Sequence, residues 1–206
     1  MNVLLLGATG TAGHAIAEKL LKETDCNITL FSRHIQPPVT PDPRVSVSRG
    51  DAANIDDLTA ALQGQHVVCC AISGHQLPQI ARHLVTAMPR CGVDRLIFMG
   101  AVGIYNELPR GLGDRYNVDN EPPQIPNRQA VDVIEASPLN YTVMRPGFLR
   151  DGKEDNYVLT VKGEPAKGYV TTIPSVAKLA LRLILDDALY ARQSVAITRD
   201  MTRQTV

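Results

Sequence analysis

The stretch Val3-Leu4-Leu5-Leu6-Gly7-Ala8-Thr9-Gly10-Thr11-Ala12-Gly13 decides the fold. Four consecutive apolar residues leave no polar face, so they read as a strand buried on both sides, as in a parallel sheet. Gly7 ends that strand. Beyond it, Ala15, Ile16, Leu20 and Leu21 recur at helical spacing, while Glu18, Lys19, Lys22 and Glu23 take the opposite side. A strand, a glycine-rich turn and an amphipathic helix form the context in which a GxxGxxG spacing binds a dinucleotide. Gly7 permits the sharp exit from the strand, Gly10 lets backbone approach a diphosphate, and Gly13 lets the helix pack closely. With Thr9, Thr11 and Ala12 filling the turn, the first helical amides face the phosphates.

Outward from this unit the same alternation continues. Ile28 to Phe31 and Val45 to Val47 read as two strands, separated by a connection that Pro37, Pro38, Pro41 and Pro43 keep from being helical. Ile55, Leu58, Ala61 and Leu62 mark a short helix, and Val67 to Ile72 a fourth buried strand. Ile80, Leu84, Val85 and Met88 stripe another helix before a strand over Leu96 to Met99. A helix opening near Pro126, a strand over Tyr141 to Met144, a helix with Pro174 in its first turn and an edge strand over Ser194 to Ile197 complete the series. Such alternation implies right-handed crossovers and an open sheet covered on both faces. The expected fold is α/β: a single doubly wound parallel-sheet domain of Rossmann type over residues 1–206. Residues 148–172 should form a small substrate-side cap, mostly loop with one short strand, because Gly152, Gly163, Pro165 and Gly168 interrupt regular structure.

Composition narrows the function. Twenty-one basic residues balance twenty-one acidic ones, which disfavours nucleic acid or an anionic membrane as partner. No apolar run approaches the roughly 18 residues of a membrane span. The short apolar start lacks a preceding basic region, so no secretory signal is expected. Cys26, Cys69, Cys70 and Cys91 are too few and too irregular for a disulfide framework, so the expected compartment is the cytoplasm. Cys69 and Cys70 are neighbours on a strand and should point to opposite faces as small buried hydrophobes. No metal-ligand spacing occurs.

Cofactor choice is written at the end of the second strand, Leu30-Phe31-Ser32-Arg33-His34. An NAD site usually places a carboxylate there for the ribose hydroxyls, and none is present. Ser32 and Arg33 instead suit a 2'-phosphate, which a guanidinium grips with paired, charge-assisted hydrogen bonds. NADP is therefore the expected cofactor, with NAD as the alternative. Asp51, with Ala52 after the third strand, is placed either to accept from the adenine amino group or to cap the short helix that follows.

These residues together resemble the atypical short-chain dehydrogenase/reductases, in particular the NmrA-like NAD(P)H-binding members near flavin and biliverdin reductases. The carriers are the Gly7–Gly13 turn, Gly50-Asp51-Ala52, Ala71-Ile72-Ser73-Gly74 and Tyr141-Thr142-Val143-Met144-Arg145-Pro146-Gly147. The resemblance implies that Ala71, Ile72 and Ser73 border the cofactor and that Pro146, Gly147 and Phe148 lie beside the nicotinamide. The family commonly uses a Tyr-x-x-x-Lys pair, in which the lysine holds ribose and lowers the tyrosine pKa. Aligned on Asp132, this sequence has Gln124 at the tyrosine and Arg128 at the lysine. Arg128 can hold ribose, but glutamine cannot transfer a proton as a phenol does.

Two substitutes stand nearby. Tyr105, six residues beyond Met99, is either a proton donor or a packing aromatic. His75, just past the fourth strand, is either a donor or a solvated loop histidine. The expected activity is NADPH-dependent hydride transfer to a small flavin- or quinone-like acceptor, whose delocalised system takes hydride while water supplies the proton. The alternative is a non-catalytic NAD(P)-binding redox sensor or regulatory partner protein.

Overall fold

The computed structural model describes residues 1–34, 42–153 and 157–202. Within them run β1 (Asn2–Leu6), α1 (Thr11–Glu23), β2 (Asn27–Ser32), β3 (Val45–Arg49), α2 (Ile55–Leu62), β4 (Val67–Cys70), α3 (Leu77–Arg90) and β5 (Arg95–Met99). The second half adds α4 (Ile125–Glu135), β6 (Asn140–Pro146), β7 (Phe148–Arg150), β8 (Tyr157–Val161), β9 (Val170–Thr172), α5 (Ile173–Leu185) and β10 (Gln193–Arg199).

Eight strands form one sheet in the order β3-β2-β1-β4-β5-β6-β10-β8. Every neighbouring pair is parallel except β10 and β8. The strand order reverses between β1 and β4, and it is there that doubly wound sheets open a crevice at the carboxyl ends of their strands.

The side-chain alternation of β1 shows why its run is apolar throughout. Val3 and Leu5 join one core with α1 and α5, whereas Leu4 and Leu6 join another with α2, α3 and α4. Cys69 and Cys70 divide in the same way and are free and buried, as their adjacency on a strand implies. Burial pushes both thiols well above the usual range, Cys70 to about 12, so both stay protonated core groups.

Three expectations are corrected. The Ser194–Ile197 strand is not an edge, because β8 pairs with it on its far side. Residues 148–172, expected as loop with one strand, contain three strands: β7 and β9 pair in parallel, and β8 joins the main sheet. These strands are three to five residues long, too short to show a hydrophobic period. The fourth strand stops at Cys70, leaving Ala71 and Ile72 in the crevice. Pro37, Pro38 and Pro41 lie outside the described residues, and Pro43 falls in a turn before β3.

Candidate functional site

Each glycine of the turn has its own physical reason. Gly7 has φ +80°, and a Cβ on it would stand 2.9 Å from the Ala71 carbonyl group, so it serves both the turn and the β1–β4 approach. A Cβ on Gly13 would meet the Gly7 carbonyl oxygen at 2.2 Å. Gly10 is different. Its φ is −78°, and a Cβ there would meet only the Gly7 oxygen, at 3.4 Å. The fold does not need a glycine at position 10, whereas a ligand close above the turn does.

The N-terminus of α1 is bare. Gly10 caps it with no side-chain hydrogen bond, and its first turn holds no acid. At α2, by contrast, Asn54 accepts from the Asp56 and Asp57 amides, and both acids sit in the first turn. One helix thus satisfies its positive end from within, and the other leaves free amides for an anion. Open space above Gly10 and a bare helix end fit the diphosphate of a dinucleotide.

Two adjoining clefts, of about 300 and about 360 Å³, share Gly10, Ala71, Ile72 and Ser73. The first runs past Thr9, Ser32, Arg33, Asp51 and Ala52. Thr9 Oγ1 and Ser32 Oγ lie 3.4 Å apart. Arg33 is exposed and, among the described residues, forms no ion pair. Asp51 accepts from the Ala53 amide at 2.9 Å, while its own amide donates to Asp57 Oδ2 at 2.9 Å. The residue that caps α2 is Asn54 and not Asp51, which lines the first cleft. The second cleft runs past Thr11, Ala12, Met99, Gln124, Asn127 and Pro146 to Phe148. A recess of about 90 Å³ continues it, with Tyr116 as an added wall.

Three expected residues are absent from the lining of the second cleft. Arg128 lines neither cleft: it donates to Asp132 Oδ1 at 2.8 Å and to the Ile104 carbonyl at 3.3 Å, with its guanidinium 4.8 Å from the Tyr105 ring centre. An acid four residues on draws it along the outer face of the helix. Tyr105 also points away. Its hydroxyl donates to Glu135 Oε1 at 2.7 Å and lies 3.3 Å from Ser194 Oγ, and its ring is also approached by Arg145 and Lys162. Burial pushes its phenol up, with Glu135 adding to the effect. His75 borders the first cleft, with Arg33 and Asp51, and is absent from the lining of the second beside Pro146.

Two residues that sequence reasoning passed over line the site. Asn127 stands three residues after Gln124, a spacing that puts both on one helix face and could have flagged it. Tyr116 comes from the irregular segment between β5 and α4, which carries no periodic signal. It packs against Phe148 at 4.4 Å and Tyr169 at 5.4 Å between ring centres, forming an aromatic corner whose Phe148 is 44% exposed.

Beneath the site, Arg145 is fully buried and pairs through Nη1 with Glu107 Oε2. Glu107 also accepts from the Gly163 amide at 2.6 Å, tying the long β5–α4 segment to the turn after β8.

The model of the NAD(P)H-binding family matches residues 7–187. The chain belongs to this family. Among curated proteins none matches. A Rossmann-fold NAD(P)-binding family protein from Shigella flexneri is similar at 32% identity, covering 97% of this chain and 94% of that one, with a TM-score of 0.80. A short-chain dehydrogenase/reductase from Veillonella parvula in complex with NADP is 26% identical over 98% and 95% of the two chains, with a TM-score of 0.87. The anaerobillin reductase ChuY of Escherichia coli O157:H7, 20% identical over the full length of both chains with a TM-score of 0.80, shares the fold. The relatives are short-chain dehydrogenase/reductase-like Rossmann proteins, the group that the sequence motifs resemble. Among the described residues no helix is long and apolar enough to cross a membrane, and no cluster suits a metal.

Proposed function

We propose that the chain is an NADPH-dependent reductase acting on a small flavin- or quinone-like acceptor. The observation that carries this reading is the groove at the β1–β4 crossover, bordered at one end by Arg33 and Asp51 and lined in the second cleft, among the described residues, by no ionisable side chain. The Gly7–Gly13 turn and the bare end of α1 hold the diphosphate. Ser32 and Arg33 hold the 2'-phosphate, and Asp51 and Ala52 border the adenine. Ala71 to Ser73 line the middle, and Pro146 to Phe148 lie beside the nicotinamide. When bound, NADPH supplies a hydride.

The protein's own contribution at that end is positioning and shape. Tyr105 and Arg128 are turned away and Gln124 has no acidic proton, so the second cleft, among the described residues, holds no acid of the usual kind, and the phenol nearest to it is Tyr116 in the wall of the recess beyond. A delocalised acceptor needs none, since water can protonate it afterwards. The corner made by Tyr116 and Phe148 offers flat apolar surface to a planar ring. The Veillonella relative in complex with NADP supports the cofactor, and the Gly10 and Arg33 geometry supports the phosphate contacts.

The experiment is NADPH oxidation, followed by absorbance, against a panel of free flavins and quinones. Turnover with at least one planar acceptor and none with simple aldehydes is expected. Cofactor binding with no turnover across the panel would instead favour the NAD(P)-binding sensor.

A further inference from the structure

The two halves of the groove differ in charge. Arg33, Asp51 and His75 border the first cleft, whereas the second, among the described residues, is lined by no ionisable side chain at all. Its polar side chains are the hydroxyls of Thr11 and Ser73 and the carboxamides of Gln124 and Asn127. NADPH has the same division: an anionic adenosine bisphosphate half, and a dihydronicotinamide riboside half that is uncharged.

The carboxamides are coupled. Asn127 Nδ2 donates to Gln124 Oε1 at 3.1 Å, and both residues are half-buried where α4 begins. That bond gives the pair a polarity. A carboxamide carries two N–H donors and a carbonyl with two lone pairs. With Gln124 Oε1 accepting from Asn127, the Gln124 N–H groups and Asn127 Oδ1 remain, and no other side-chain bond among the described residues engages them. The cleft therefore presents adjacent neutral donors and an acceptor beside the apolar surfaces of Met99 and Pro146.

We infer that the Gln124–Asn127 pair holds the nicotinamide riboside half of the cofactor as a neutral positioning clamp, and that it favours the reduced form. The inference rests on the groove being the NADPH site. The carboxamide and hydroxyl groups of that half are donors and acceptors that match the free ones of the pair. With no carboxylate among the described residues that line this cleft, the cationic ring of NADP⁺ finds no compensating charge in its lining, while the neutral reduced ring needs none.

The test is calorimetric titration of the full chain with NADPH, NADP⁺ and 2',5'-ADP, the last retaining the adenine and 2'-phosphate but lacking nicotinamide riboside. Gln124→Leu and Asn127→Leu should each weaken NADPH binding about tenfold, the scale of one or two neutral hydrogen bonds, and leave 2',5'-ADP binding unchanged. Asn127→Asp keeps the shape and adds a charge, so it should raise NADP⁺ affinity relative to NADPH by about fivefold. Unchanged NADPH binding in the leucine variants, equal losses for NADPH and 2',5'-ADP, or an unmoved NADP⁺ to NADPH ratio in Asn127→Asp would overturn the assignment. Failure of the wider reading looks different: the unmutated protein would then bind neither NADPH nor 2',5'-ADP, and the clamp would fall with it.

Discussion

The carbonyl oxygen of Gly7 lies only 2.2 Å from where a Cβ on Gly13 would stand, so the turn and α1 meet through bare backbone. At Gly10, three residues earlier on the helix side, the same addition meets nothing nearer than 3.4 Å. The two glycines therefore separate stability from binding. Gly13→Ala forces a backbone shift, a strain of about 1–3 kcal/mol or more. For a chain of this size each kcal/mol lowers the thermal midpoint by about 2–4 °C. Gly10→Ala should leave the midpoint nearly unchanged and weaken NADPH binding at least about tenfold, because the methyl enters the diphosphate's space. Calorimetry and thermal melts on both variants check the contrast.

Arg33 is the residue proposed to set cofactor preference. It is exposed and borders the first cleft, with no carboxylate partner among the described residues. A charge-assisted hydrogen bond contributes about 1.5–3 kcal/mol, so Arg33→Ala should weaken NADPH binding about 10- to 150-fold. NADH binding should change only a few fold. Added salt should weaken NADPH more than NADH in the unmutated protein. Equal losses for both cofactors would mean that Arg33 stacks on adenine and does not read the phosphate.

The Arg145–Glu107 pair is a structural prop under the site. Arg145 is fully buried and Glu107 is 8% exposed, so removing the acid leaves a buried guanidinium without its counter-charge. Glu107→Ala should lower unfolding free energy by about 3–5 kcal/mol in denaturant titration. Arg145 Nε already has no partner, so the site has little means of compensating. A loss below about 1 kcal/mol would show that water reaches Arg145 and replaces the pair.

Tyr105 gives a pH signature. Burial, with Glu135 beside the hydroxyl, raises its pKa above the usual phenol value. The folded phenol thus holds its proton where the unfolded one, near pH 10, loses it. That stabilisation is complete below about pH 10 and is lost as the pH climbs towards the folded value. Tyr105→Phe should therefore flatten the alkaline decline of stability. It should also leave any NADPH oxidation within about twofold, since a general acid would contribute roughly a hundredfold or more. A hundredfold loss in the phenylalanine variant would put Tyr105 back into the chemistry.

What the sequence reveals follows from how local each signal is. Val3 to Leu21 carries its strand, turn and helical stripe within nineteen residues, and β1, α1 and the crevice are where that pattern places them. The strand before Arg33 and the one ending at Pro146 are legible for the same reason. The short strands β7 and β9 are not, because their identity lies in pairing with each other across some twenty residues. The direction of Tyr105 is equally non-local. It depends on the helical turn Val102–Tyr105 and on Asn106 at φ +60°, which swings the chain away just after it. Arg128 misled because an i, i+4 spacing taken from a family pattern fixes a helix face only if the helix has the same rotation, and Asp132 and Tyr105 draw this side chain outward.

The central claim is that the groove at the β1–β4 crossover is a dinucleotide site that prefers NADPH. The most direct measurement is calorimetric titration of the unmutated protein with NADPH and, separately, with NADH. One equivalent of NADPH bound per chain, tighter than NADH, is the expected result. Tighter binding of NADH would reject the preference, and no binding of either cofactor at millimolar concentration would contradict the site itself.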